Sequence, residues 1–170
     1  PAEFMLVASM NPCPCGNFGS KTRQCRCSPS EIHRYVSRLS GPLLDRIDLQ
    51  VEVDGVGYEE LRFSPDAESS ADIKKRVEKA RAMQRSRYGS SLTTNARMTN
   101  AQLRRWCGLS PESERILEAA FSRLGLTARA STRVLKVART IADLEGSERI
   151  LPPHITEAVQ YRSLDRKYWE

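Results

Sequence analysis

From Ala71 onward the sequence is a succession of helix start and stop signals, and this punctuation restricts the second half of the chain to packed helices. "ADIKKRVEKARAMQRSRYG" places Ile73, Val77, Ala80 and Met83 on one face and ends at Gly89. "TNAQLRRWCG" opens with Thr99 and Gln102 at capping-box spacing and stops at Gly108. "SPESERILEAAFSRLG" has Ser110 as cap, Pro111 in the first turn and Gly125 as C-cap. "TARASTRVLKVARTIADLEG" runs from a Thr127 cap to Gly146, and "PPHITEAVQYRSL" supplies one more helix. The expected architecture over 91–170 is a small four-helix bundle, connected to the preceding residues by the helix at 71–88. The helix lengths are too irregular for a repeat array.

The first third has a different period. "FMLVAS", Phe4 to Ser9, is a short continuous apolar run and predicts a buried strand. "SPSEIHRYVSRLSG" predicts a helix with Ser28 as N-cap, Pro29 at the first position, Glu31 completing a capping box and Gly41 as the stop. Ile32, Tyr35, Val36 and Leu39 form its apolar stripe, and Leu43 and Leu44 follow at a turn. Ile47, Leu49, Val51 and Val53 then alternate with Asp48, Gln50 and Glu52, the pattern of a second strand. Residues 54–70, rich in acids and turn formers, read as a linker or extended loop. Two strands and one helix are too little sheet to close an α/β unit. The chain also begins without Met, directly in an apolar run, which points to a segment of something longer.

Charge narrows the class of partner. Residues 71–149 carry seventeen Lys and Arg against eight Asp and Glu, a local excess of nine. Such an excess favours polyanions, although solvated helix faces produce the same count. No apolar run approaches the roughly 20 residues that span a bilayer, and the opening residues have neither a basic region nor a cleavage site of the signal-peptide kind. A reduced, cytoplasmic setting therefore suits the five cysteines better than a disulfide scaffold does.

Four of those cysteines lie in "MNPCPCGNFGSKTRQCRC". The Lys21-Thr22 pair imitates a phosphate loop, but Ser20 stands where glycine would have to admit the phosphates, so that reading is rejected. Cys13, Cys15, Cys25 and Cys27 can supply four thiolates to a tetrahedral zinc ion, with the alternative of a reduced loop carrying no metal. The spacing within each pair, C-x-C, is tighter than in most structural zinc sites. Cys107, beside Trp106, reads as a buried small hydrophobe. His33 and His154 have no acid or thiol partner at ligand spacing and read as structural. Three further residues stand out by position. Asn11 follows the first expected strand, where α/β sheets bind ligands, with capping of the loop as the alternative. Arg46 precedes the second, where a guanidinium can reach a phosphate or simply pair with Asp45 or Asp48. Arg129 opposes the dipole in the first turn of its helix, which a phosphate ligand would explain, with a solvated arginine as the alternative.

Taken together, "FMLVASMNPCPCG", "LSGPLLDRIDLQVEV" and "LTARASTRVLKVARTIADLEG" resemble the magnesium-chelatase-like AAA+ ATPases of the competence protein ComM type. The resemblance covers nearly the whole chain, least clearly residues 54–98. It implies an α/β plus α fold: the C-terminal part of an AAA+ core over 1–54, a linker and connecting helix over 55–90, and a helical lid over 91–170. It implies that Asn11 is sensor 1, that Arg46 is an arginine finger completing a neighbour's site, and that Arg129 is sensor 2, contacting ATP phosphates from within the subunit. ATP with Mg2+, a hexameric ring of identical subunits, a DNA partner and no membrane are implied as well, with DNA helicase or branch-migration work in natural transformation as the function. Walker A and Walker B are absent from these residues, so the segment alone is expected not to hydrolyse ATP. Two alternatives stay open: the ATPase subunit of a true magnesium chelatase, against which the CxC…CxC insert argues, and a non-enzymatic basic zinc-knuckle module that binds nucleic acid.

Overall fold

The computed structural model describes residues 4–53, 55, 58, 62, 68–90 and 93–162. Within them the regular elements are helices: α1 (Pro29–Val36), α2 (Gly41–Leu44), α3 (Ser70–Tyr88), a 3-10 turn (Asn95–Arg97), α4 (Asn100–Trp106), α5 (Pro111–Leu124), α6 (Ala128–Glu145) and α7 (Pro152–Gln160). The helix boundaries follow local chemistry. Ser28 and Glu31 close a reciprocal capping box on α1, and Thr99 and Gln102 do the same on α4. Ser69, Ser110 and Thr127 each accept an amide hydrogen of the first turn of α3, α5 and α6. The three helices α3, α5 and α6 end at glycines, and Gly146 sits at φ 83°, a left-handed value that a Cβ would penalise.

The core gathers around α6. Ala130, Val134, Ala138 and Ala142 recur every four residues and are all buried, so one stripe of small side chains faces inward. That stripe lets α3, α4, α7 and the 3-10 turn pack against α6, while α5 packs on α7. Ile150, Ile155, Ala158, Leu126, Met98 and Cys107 complete the apolar cluster. Burial of Ile155 alone contributes about 1.5–3 kcal/mol. Cys107 is the small buried hydrophobe its neighbourhood suggested, and loss of solvent pushes its thiol up to about 11. The N-terminal half of α3 departs from expectation, because Ile73 and Val77 remain more than two-fifths exposed and only Ala80 and Gln84 are buried.

The two expected strands do not form among the described residues. Residues 4–10 and 47–53 carry no ladder, and Phe4, Met5, Val7 and Val53 are each more than seven-tenths exposed. The reason is physical: a strand exists only as a member of a ladder, and no described segment offers these residues a partner edge. The continuous apolar run at 4–9 and the alternation at 47–53 are present in the sequence, but either pattern needs a sheet to become structure. Gly41 likewise begins α2 instead of simply ending α1, because Pro42 fits the first turn of a new helix. The acidic stretch 54–70 lies largely outside the described residues. No helix among the described residues is long and apolar enough to cross a membrane.

Candidate metal centre and nucleotide-contacting residues

The loop after residue 10 folds back on itself so that four thiols converge. The Sγ atoms of Cys13, Cys15, Cys25 and Cys27 all lie within 4.8 Å of one another. Cys13–Cys15, Cys13–Cys25 and Cys15–Cys25 are separated by 3.4, 3.7 and 3.6 Å. Four thiolates about 2.3 Å from one tetrahedral ion have edges of about 3.8 Å, so these spacings suit a single zinc-sized ion. The same distances exclude disulfides, and all five cysteines are free thiols. Two backbone features make the convergence possible. Gly16 donates its N–H to the Cys13 carbonyl at 3.0 Å while holding φ at 77°, and Phe18 donates its N–H to Cys13 Sγ at 3.3 Å. Cys13 is fully buried and Cys15 exposed.

The thiols are electrostatically unlike. Backbone N–H groups, that of Arg26 first and that of Asn17 second, bring Cys15 down to about 6. The backbone N–H of Cys15 favours the Cys27 thiolate, but lost solvation and the neighbouring thiols Cys15 and Cys13 win and push it up to about 12. Four such groups cannot all ionise side by side without a cation between them, and a divalent metal ion supplies that charge.

Asn11 is exposed and lies immediately before this centre. Its carboxamide rests over Gly16: a Cβ built on Gly16 would come within 3.6 Å of Asn11 Nδ2. Arg46 is also exposed, and its Nη1 donates to the Pro42 carbonyl at 2.5 Å across α2. Arg129 is exposed in the first turn of α6 and forms no ion pair among the described residues. The folded chain thus presents all three at its surface, and it joins two of the three neighbourhoods.

That junction was invisible in the sequence. Thr127, the N-cap of α6 and two residues before Arg129, donates its hydroxyl hydrogen to Asp45 Oδ2 at 3.2 Å. Arg162, only 1% exposed, donates Nη1 to the carbonyls of Ile47 at 2.5 Å and Leu44 at 3.4 Å, and its Nη2 lies 3.7 Å from Asp45 Oδ1. Arg133 of α6 pairs with Asp48, and the Gln50 N–H reaches the Tyr161 carbonyl at 3.0 Å. The turn that carries Arg46 is therefore fastened to both the start of α6 and the end of α7. An arginine after a terminal helix normally reads as solvated, and no local pattern distinguishes a buried one. His154 holds a structural place, with one partner that was not expected. It is buried, accepts the Leu151 N–H on Nδ1 at 2.9 Å and faces the Glu145 carboxylate through Nε2, so it has the acidic partner the sequence spacing did not reveal.

Residues 67–162 match the family described as magnesium chelatase, subunit ChlI C-terminal, and residues 1–61 match magnesium chelatase, subunit ChlI. The chain belongs to the magnesium chelatase family. Relatives within reach include the competence protein ComM of Haemophilus influenzae, 43% identical over 98% of this chain. Proteins named YifB from Escherichia coli K12 and Salmonella typhimurium are 44% and 42% identical over 98% of this chain. Each match covers 32% of the relative, so the chain spans about a third of the length of these proteins. The helices α3 to α7 fit the all-helical C-terminal domain of magnesium-chelatase-like AAA+ proteins.

Proposed function

We propose that this chain contributes the sensor, finger and helical lid of a cytoplasmic AAA+ ATPase that assembles as a hexameric ring and spends ATP on remodelling DNA. In this reading residues 1–54 complete an ATPase core, 55–90 link it, and 91–170 form the lid. Asn11 orients the attacking water near the γ-phosphate, and Arg46 lends its charge to the phosphates in a neighbour's site. Arg129 contacts ATP phosphates from the start of α6. A planar, permanently charged guanidinium suits that task, because charge on the transferred phosphoryl oxygens must be met by fixed donors. Mg2+ and ATP would supply the bridging cation and the phosphoryl group, and zinc would occupy the four-thiol cluster. The observation that carries the reading is the fastening of the Arg46 turn to the residue that caps the Arg129 helix, within a chain of magnesium chelatase family sequence. The excess of nine positive charges over 71–149 supports DNA as the polyanionic partner.

The test uses the full-length protein. Arg46→Ala should retain ATP binding while kcat falls about 10^3-fold, the range of an arginine finger. Arg129→Ala and Asn11→Ala should lower turnover as well, and DNA binding should weaken steeply with salt. Unchanged turnover in Arg46→Ala would remove the finger assignment. Metal insertion into a porphyrin, with no response to DNA, would instead establish the chelatase reading, which the family descriptions keep in view.

A further inference from the structure

The backbone between Asn11 and the four-thiol centre makes them one unit. We propose that Cys13, Cys15, Cys25 and Cys27 hold one zinc ion whose role is to set the position of Asn11, a role that rests on the ATPase reading given above. Only Pro12 separates Asn11 from Cys13, and Pro14 separates Cys13 from Cys15, so φ is fixed at both spacers. The Cys13 carbonyl and sulfur accept the Gly16 and Phe18 amide hydrogens at 3.0 and 3.3 Å, which closes a tight turn on the first ligand. Asn11 lies against the glycine of that turn.

Spacings of 3.4–3.7 Å among the Cys13, Cys15 and Cys25 sulfurs, with all four sulfurs within 4.8 Å of one another, suit thiolates around a single ion and are too short for a cage around several irons. One ion would cross-link the two ends of the loop within the 18-residue stretch Met10 to Cys27. The coordinating sulfurs do no chemistry on substrate; Asn11 is the residue they position. A displacement of about 1 Å in a water-orienting group lowers turnover by roughly 100-fold, so loss of the ion should appear in kcat and leave nucleotide affinity nearly unchanged.

The experiment measures metal content by elemental mass spectrometry, nucleotide affinity with a fluorescent ATP analogue, and steady-state ATP hydrolysis, all on the full-length reduced protein. Wild type should carry one zinc per chain. Cys25→Ser should lose it and lose roughly 10- to 100-fold in kcat, with nucleotide affinity within about twofold. Cys27→His, which keeps a zinc-competent ligand set, should retain both metal and turnover. Gly16→Ala should keep the zinc yet lower kcat, because a Cβ at φ 77° strains the turn against Asn11. Asn11→Ala combined with Cys25→Ser should be no slower than Asn11→Ala alone, the mark of two residues acting through one group. Reduced wild type without zinc would overturn the metal site. Full turnover in metal-free Cys25→Ser, or losses that multiply in the double variant, would overturn the positioning role. A wild type that binds zinc but never hydrolyses ATP would overturn the ATPase reading and the positioning role with it, and would leave the metal site standing.

Discussion

Asp143 has no exposure to solvent and is surrounded by cations and amides. Arg87 approaches it with both Nη atoms, the Nη1–Oδ2 distance being 2.8 Å; Arg139 Nε donates to Oδ1 at 3.1 Å, and Asn95 Nδ2 donates to Oδ2 at 2.8 Å. Asn95 in turn accepts the Tyr88 hydroxyl at 2.7 Å, and Arg139 turns its remaining donors to the carbonyls of Ser147 and Glu148. The Asp143 carboxylate holds the Arg87 guanidinium above its ordinary value, while burial pulls Arg139 below. A buried pair of this kind adds little over a well-packed apolar core, yet breaking it is expensive because charges are stranded. Asp143→Ala should therefore destabilise the fold by about 3–5 kcal/mol, read from the midpoint and slope of urea unfolding. Only the Arg139 contact has a local signal, since Arg139 and Asp143 stand four apart on one helix face. Arg87 lies 56 residues away, and nothing in its surroundings names Asp143 as its partner.

At the level of elements, what the sequence revealed was whatever is decided within a few residues. Ser28 with Glu31, Thr99 with Gln102, Ser110 and Thr127 cap the helices they were expected to cap, since the side chain and the amide it satisfies lie within three positions. The runs at 4–9 and 47–53 failed as strands because pairing is decided elsewhere in space. The four cysteines were legible as a candidate ligand set from residue type, while the convergence of their sulfurs to within 4.8 Å is a product of the fold. The Arg46 turn is the element whose placement depends most on distant partners. Arg162→Ala should release it: amide exchange at 43–50 should quicken at least about tenfold, while amides of 134–142 in α6 keep their protection. Equal loosening of both segments would mean that Arg162 supports the bundle and not the turn.

Across the whole molecule, the helical part is held by packing around α6, with α3, α4 and α7 against α6 and α5 against α7, and its Arg87–Asp143 pair joins residues 56 positions apart. The fastening of the Arg46 turn spans more of the chain. Its bonds join residues 82, 85, 115 and 118 positions apart. Non-local contacts form late, because loop closure must be met before they reward it. Asp45→Ala should accordingly leave the folding rate of the helical part nearly unchanged and appear almost wholly as faster release of the turn, measurable in the unfolding arm of a stopped-flow denaturation series. Loop-closure cost also grows only logarithmically, about 0.6 kcal/mol for each doubling of length. The chain between Asp45 and Thr127 is thus nearly free to lengthen or shorten in evolution at its surface-exposed stretches. Descendants of this sequence can rewrite the road between these two residues while the address of Arg46 stays the same.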